Sequence, residues 1–380
     1  MVVPRVVGNF EAAMVLNGLP SIGFCNFQKI FALLGGELSE LFTLSLEELV
    51  HRLRLSPAIA GRIGKWYEFF DLDDQLRRME TFGARFVPYC ATDYPAQLKE
   101  LRYPPIGIFL AGKPLPAGRA IAVVGTRRCS FEGERRAYDV SKILAQEGVA
   151  SISGLARGID MAAHGGTLAG GGHTVAVLGC GLDVIYPPEN AGLYETILRD
   201  GTLISEFSFG RPADRQSFAI RNRIITGLAD AVLVVESPIS GGSMLSAQRA
   251  MEQRKPLFAI PGDPANPAAE GCRLLIRNGS ARPIRSAEEL LETIAHPTAK
   301  TSPVQLSPIA AEEPLRPELT VPEMAVWEQL AGGGPQTADE VAPAISLAVL
   351  ECAQILQLFC VRGWARRELS GAFALSSAFS

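Results

Sequence analysis

At 380 residues the chain is longer than one hydrophobic core usually supports, so two or three domains are expected. A formal net charge of −4 excludes a surface that coats nucleic acid indiscriminately, but it leaves room for one focused basic groove. Seven scattered cysteines with no Cys-x-x-Cys pair indicate neither a zinc ribbon nor a disulfide framework. The chain also shows no signal-peptide-like apolar run and no apolar stretch near the ~18 residues of a membrane span, so a cytoplasmic protein is expected.

The first 83 residues read as short helices joined by small-residue turns. Leu19-Pro-Ser-Ile-Gly23 leads into Phe27–Leu34, and Leu55-Ser-Pro-Ala-Ile-Ala-Gly61 leads into Ile63–Phe70. Such paired units suggest a helix-hairpin-helix or sterile-alpha-motif-like domain. Glu37, Glu40, Glu47 and Glu48 flank the turns, which favours packing or protein contact over DNA binding. The proline-dotted segment 84–118 reads as an extended connector.

From residue 119 strand-like runs at 120–125, 149–153, 174–179, 202–205, 231–236 and 257–260 alternate with helix-length segments at 132–147, 159–169, 189–200, 217–227 and 243–254. This alternation predicts an α/β fold over 119–295: a Rossmann-like, doubly wound, mostly parallel sheet with ligands beyond the carboxyl ends of its strands. Residues 101–295 are also the one net-positive region, with 21 basic against 19 acidic side chains. Residues 296–317, rich in Pro, Ser, Thr and Ala, read as a linker. Beyond them, Glu323–Leu330, Thr337–Val341, Ala348–Phe359 and a turn at Gly363 suggest a winged-helix-like domain over 318–380. Its recognition helix has no Lys or Arg, which points to protein contact rather than DNA reading.

The chemistry concentrates in the turns after the strands. Strand 120–125 ends in Gly125-Thr126-Arg127, where a tight turn, a hydroxyl and a guanidinium form an anion cradle. It is neither a dinucleotide fingerprint nor a P-loop. The next strand ends in Ser153-Gly-Leu-Ala-Arg157-Gly-Ile-Asp160, followed by His164. The i, i+4 spacing of Asp160 and His164 could serve a metal or an acid–base pair. With no third ligand in sight, a capping Asp and a packed His explain it better. Arg157 is read as ordering the loops or meeting phosphate. Between Arg211 and Arg223 lie four arginines, with Asp214 the one acid, and Arg221-Asn222-Arg223 is the densest group. Ser240-Gly241-Gly242-Ser243 precedes a helix as a phosphate nest.

Gly125-Thr-Arg127, Ser153-Gly-Leu-Ala-Arg-Gly-Ile-Asp160, Gly181-Leu-Asp-Val-Ile-Tyr-Pro-Pro-Glu-Asn190, Ser205-Glu-Phe207, Phe218-x-x-Arg-Asn-Arg-Ile-Ile-x-Gly-Leu228, Ser240–Ser243 and Pro261-Gly-Asp263 follow one another in a set order. This set resembles the DNA-processing protein A (DprA/Smf) family over about 85–290. The resemblance implies a non-catalytic, single-stranded DNA-binding protein that protects incoming strands in natural transformation, promotes RecA loading and acts as a homodimer, with no metal or cofactor. Carried onto this chain, it gives Gly125, Thr126, Arg127, Arg221, Asn222, Arg223 and the Ser240–Ser243 nest as phosphate-binding candidates. Phe218 is the candidate base-stacking platform, and Arg215 a weaker contact in the same arm. The nest departs from the family pattern in carrying an extra Gly and a Met-Leu-Ser run.

Two rival readings stand beside this one. Nucleoside-monophosphate phosphoribohydrolases share such a sheet and use a Gly-Gly-x-Gly-Thr-x-x-Glu turn. Here Gln248 takes the carboxylate position, and Gln is no general acid–base group. A RecA-directed adaptor with little DNA affinity requires the arginine arm to be paired internally.

Overall fold

A computed structural model describes residues 8–295, 321–333, 335–345, 347–361, 365–367 and 372–375. The chain divides into two compact units, Met1–Pro303 and Val304–Ser380. The expected linker at 296–317 and the turn at Gly363 lie outside the described residues.

The first unit opens with five helices: α1 (Asn9–Gly18), α2 (Phe24–Leu33), α3 (Leu46–His51), α4 (Pro57–Gly64) and α5 (Leu72–Phe82). Local chemistry sets their ends. Ser45 and Glu48 form a capping box on α3. Asp71 caps α5, and Gly83 ends it in the left-handed region. The helix expected over 63–70 is not formed: Ser56 caps a helix that starts at Pro57 and ends at Gly64, and only a short 3-10 turn, Trp66–Glu68, follows.

Next come β1 (Arg85–Pro88), α6 (Ala96–Lys99) and β2 (Gly107–Gly112). The alternating region supplies β3 (Ala120–Val124), α7 (Phe131–Gln146), β4 (Ala150–Ser153), α8 (Ile159–Ala169), β5 (Thr174–Leu178), α9 (Ala191–Asp200) and β6 (Thr202–Ser205). It continues with α10 (Arg215–Leu228), β7 (Ala231–Val234), α11 (Gly242–Glu252), β8 (Leu257–Ala259), α12 (Glu270–Arg277), β9 (Arg282–Pro283) and α13 (Ala287–Ala295). Nine strands form one sheet in the order β1-β2-β6-β5-β4-β3-β7-β8-β9. From β6 to β9 every pairing is parallel. The chain leaves β3 toward β4, β5 and β6, then returns through α10 to β7 on the other side of β3. The topological switch point, where α/β sheets place ligands, therefore lies between β3 and β7.

The α/β, mostly parallel sheet agrees with the sequence reading, with one correction. Segment 84–118 is not a connector: β1 and β2 pair antiparallel with each other, and β2 pairs antiparallel with β6. Prolines 88, 95, 104 and 105 sit at strand ends and in the intervening loop, and strand and extended connector share one backbone region. The helical layer is continuous with this edge. Phe86 meets Phe10 edge-on at 5.8 Å and Phe109 at 4.8 Å, so α1–α5 share a core with the sheet.

The second unit contains α14 (Val321–Gly333), α15 (Ala338–Ala344), α16 (Val349–Val361), β10 (Ala365–Arg367) and β11 (Phe373–Leu375). The two strands pair antiparallel, and Trp327 packs edge-on against Phe359 at 5.8 Å.

Candidate nucleic-acid interface

The site is built around α10. Asp214 and Ser217 form a capping box at its start, and the Ser217 hydroxyl donates to the Gly179 carbonyl at 2.5 Å, tying the helix to the end of β5. Helical spacing then places Phe218, Arg221 and Asn222 on one face. The Phe218 ring lies against Gly179, where an added Cβ would come within 2.7 Å of it. Arg127, from the β3–α7 turn, stacks over this ring with its guanidinium carbon 4.6 Å from the centroid. The Arg221 guanidinium stands 5.8 Å from the same centroid, and Tyr186 contacts the ring at 5.4 Å. One half-buried aromatic ring thus carries two cations.

Arg221 is only 2% exposed, and its Nε and Nη1 find no hydrogen-bond partner in the protein. It lies so close to Gly154 that a Cβ there would fall 1.5 Å from Nη1, which explains a glycine at that position. Burial pulls its pKa down to about 10, with Asp160 the largest opposing influence. Arg221 therefore stays cationic at neutral pH, as the floor of the site.

The Ser153–Asp160 motif shapes the loop around this guanidinium. The Asp160 carboxylate, buried at the start of α8, accepts from the Gly154 amide at 3.1 Å and the Ala156 amide at 3.4 Å. Burial raises its pKa while Arg221 lowers it. His164 Nε2 accepts from the Leu155 amide at 3.2 Å, so its Nδ1–H faces the Thr174 hydroxyl at 2.7 Å. Burial holds His164 near pKa 3, a neutral ring. Asn190 donates to the Leu155 carbonyl at 3.0 Å. These bonds hold Leu155 at φ +54, a conformation a branched residue adopts only under such restraint. Asp160 and His164 are structural; among the described residues no group of three His, Cys, Asp or Glu could hold a metal.

The other expected site residues are distributed unevenly. Gly125 is a packing position, since a Cβ would fall 2.4 Å from Ile159 and 2.8 Å from the Glu236 carbonyl. The Thr126 amide donates to that carbonyl at 2.7 Å, and its hydroxyl accepts from the Arg128 amide at 3.3 Å. Asn222 is half-buried, and Arg215 is exposed at the first position of α10. Arg223 points away from Phe218: it pairs bidentately with Glu206 at 2.6 and 2.9 Å and donates to the Tyr103 carbonyl at 2.9 Å. Arg157 pairs with Glu189 on the surface. Gly241 packs on Ser237, Ser243 bonds the Ser237 hydroxyl at 2.7 Å, and Ser240 and Gly242 are exposed. Gln248 donates to Glu252 on its own helix at 3.0 Å. Sequence reasoning missed Glu236. It is buried after β7, where it accepts from the Ser130 amide at 2.8 Å and the Ser130 hydroxyl at 2.5 Å, locking the β3–α7 turn.

Residues 85–295, from the start of β1 to the end of α13, match the family model described as DNA recombination-mediator protein A. The chain belongs to this family. Members similar to it include protein Smf of Synechocystis sp., 40% identical over 210 residues, covering 53% of this chain and 52% of the relative. DNA processing protein DprA of Streptococcus pneumoniae is 38% identical over 226 residues, covering 59% and 79%. The chain thus matches between about half and four-fifths of the length of these two relatives. Among solved structures, the pneumococcal DNA processing protein A superposes with a TM-score of 0.64 at 32% identity, covering 75% of this chain and 98% of that one. DNA processing protein A from Helicobacter pylori, studied for its single-stranded DNA binding mode, superposes with a TM-score of 0.52 at 27% identity, covering 57% and 97%. Family membership accounts for the inclusion of β1 and β2: the matched region starts with them, not with β3.

Proposed function

We propose that this chain is a non-enzymatic, single-stranded DNA-binding protein, with its site on the Phe218 face of α10 at the carboxyl ends of β3 to β5. The observation that carries this reading is the Phe218 ring with two guanidinia close to it, Arg127 at 4.6 Å and buried Arg221 at 5.8 Å from its centroid. On binding, Arg127 leaves the ring for a phosphate and a base takes its place. An exposed cation–π contact is worth about 0.5–1 kcal/mol, and a stacked base about 1–3 kcal/mol, so the exchange is favourable. Arg221 supplies fixed positive potential from beneath. Thr126, Arg215, Asn222 and the Ser240–Ser243 nest extend the backbone track on either side. Arg223 and Arg157 act through loop order, consistent with their carboxylate partners.

Family resemblance extends the proposal to a cytoplasmic homodimer that protects incoming strands and promotes RecA loading in natural transformation and recombination. It also extends to a sterile-alpha-motif-like reading of α1–α5 and a winged-helix-like reading of α14–α16 with β10 and β11. The adaptor reading draws on one set of observations: Arg223–Glu206, Arg157–Glu189 and Arg211–Asp214 are all ion pairs within the chain.

Fluorescence anisotropy of a labelled oligo-dT and a matching duplex, each at two salt concentrations, separates these readings. Tight, salt-sensitive preference for the single strand supports the proposal. Equal, weak binding to both refutes it in favour of the adaptor.

A further inference from the structure

Nine residues, Glu206–Asp214, connect β6 to α10, and the helices of the first 83 residues hold this loop from the other side. Gln75 on α5 is 8% exposed, and its amide pairs with both polar groups of one peptide residue. Its Nε2 donates to the Phe209 carbonyl at 3.2 Å, and its Oε1 accepts from the Phe209 amide at 2.8 Å. Nearby, Asn17 on α1 donates to the Glu206 carbonyl at 2.9 Å. Arg78, one turn beyond Gln75, reaches Asp183 at 3.0 Å, and Asp183 accepts from the Gly210 amide at 2.7 Å. The Phe209 ring is buried edge-on against Phe82 at 5.7 Å and Phe109 at 5.4 Å.

The loop's far end is part of the site. The Arg211 carbonyl accepts from the Gly181 amide at 2.9 Å, Asp214 caps α10, and Glu206 itself grips Arg223. A chain of direct contacts therefore runs from α5 through Phe209 to the start of α10, one turn before Phe218.

We infer that Gln75 is a positioning residue for the DNA arm and that the N-terminal helices brace α10, so displacement of α5 weakens the site. This inference rests on the DNA-binding reading above. The physical cause is polar satisfaction: without Gln75, a buried amide and a buried carbonyl of Phe209 lose their partners, and the loop regains them only by opening to water. The helices expected from sequence to serve packing or partner contact thereby become part of the binding apparatus.

The test is native-state hydrogen exchange on the full chain, paired with oligo-dT anisotropy, for wild type and Gln75→Met, which keeps side-chain length and removes both bonds. Amides of 206–216 are expected to exchange about ten-fold faster in the variant, with those of β3, β4 and β5 unchanged. Oligo-dT affinity is expected to fall about three- to ten-fold. Unchanged exchange in 206–216 overturns the inference, and so does faster exchange with wild-type affinity. If Gln75→Met accelerates every amide of the unit alike, Asn17→Ala decides: selective loosening of 206–216 with weaker binding supports the brace, and wild-type behaviour overturns it. Failure of the wild-type protein to bind oligo-dT refutes the functional proposal instead, while exchange still reports on the brace.

Discussion

The two faces of α10 carry arginines two residues apart, about 200° around the helix, in opposite surroundings. Arg221 is sealed under the carboxyl ends of β4 and β5 with its Nε and Nη1 unpartnered and Asp160 as its main opposing charge. Arg223 is fully engaged, bidentate to Glu206 and bonded to the Tyr103 carbonyl. The first, opposed by Asp160 but without a hydrogen-bond partner at Nε or Nη1, keeps donors unengaged near Phe218. The second spends its charge holding the β6–α10 loop and the segment before β2. An arginine cluster in sequence is thus two devices in space, and the helix face, not the local charge density, decides which arginines remain for an anion.

Substitutions can sharpen this contrast. Arg221→Met is expected to have the largest effect, about 3 kcal/mol of lost stability, since Asp160 is left buried without its counter-charge. Urea unfolding measures it, and oligo-dT binding should be lost as well. Gly154→Ala drives a methyl into the Arg221 guanidinium. Overpacking of this kind is expected to cost about 1–3 kcal/mol, again read from the urea midpoint.

The loop around Arg221 also predicts an acid response. His164 titrates near 3 in the folded protein, below the ~6.5 of an unfolded chain. Its contribution is therefore complete above about pH 6.5 and is lost as pH falls toward 3. Buried Asp160 works in the opposite sense, because its raised pKa relieves its burial cost as pH falls. Comparing wild type with His164→Gln cancels the Asp160 part. Wild type should lose about 1–2 kcal/mol more than the variant between pH 6.5 and 5, measured by urea midpoints. Parallel pH profiles would contradict the neutral, buried imidazole. On the opposite face, Arg223→Ala should cost about 1–2 kcal/mol of stability through its hydrogen bonds.

The parallel part of the fold was legible because β3 to β8 are short apolar runs bounded by Gly and Ser turns. β1 and β2 were not, because their pairing with β6 is a long-range event and their prolines read equally well as connector. Within the site, residue types gave Arg127 and the arginine cluster and the family resemblance added Phe218, but neither gave their burial. Arg221 was expected to bind phosphate, whereas it is a buried floor. Asp160 and His164 were read as a capping Asp and a packed His. His164 is packed, but Gly158 stands at the start of α8 without a side-chain cap, and Asp160 binds the Gly154 and Ala156 amides of the preceding loop instead. Their actual task, shaping a loop around a guanidinium 57 residues after His164, carries no local signal. Glu236 escaped notice because an acid after a strand has no pattern until the Ser130 it caps is seen beside it.

The salt dependence of oligo-dT affinity in wild type, Arg127→Ala and Arg223→Ala tests the central claim most directly. Arg127 is exposed and pairs with no carboxylate among the described ion pairs, so its loss should leave stability within about 0.5 kcal/mol while weakening binding and lowering the salt slope by about one. Arg223→Ala should keep the wild-type slope. Equal flattening by both, or an unchanged slope in Arg127→Ala, would contradict the division of α10 into an anion-facing side and a structural one.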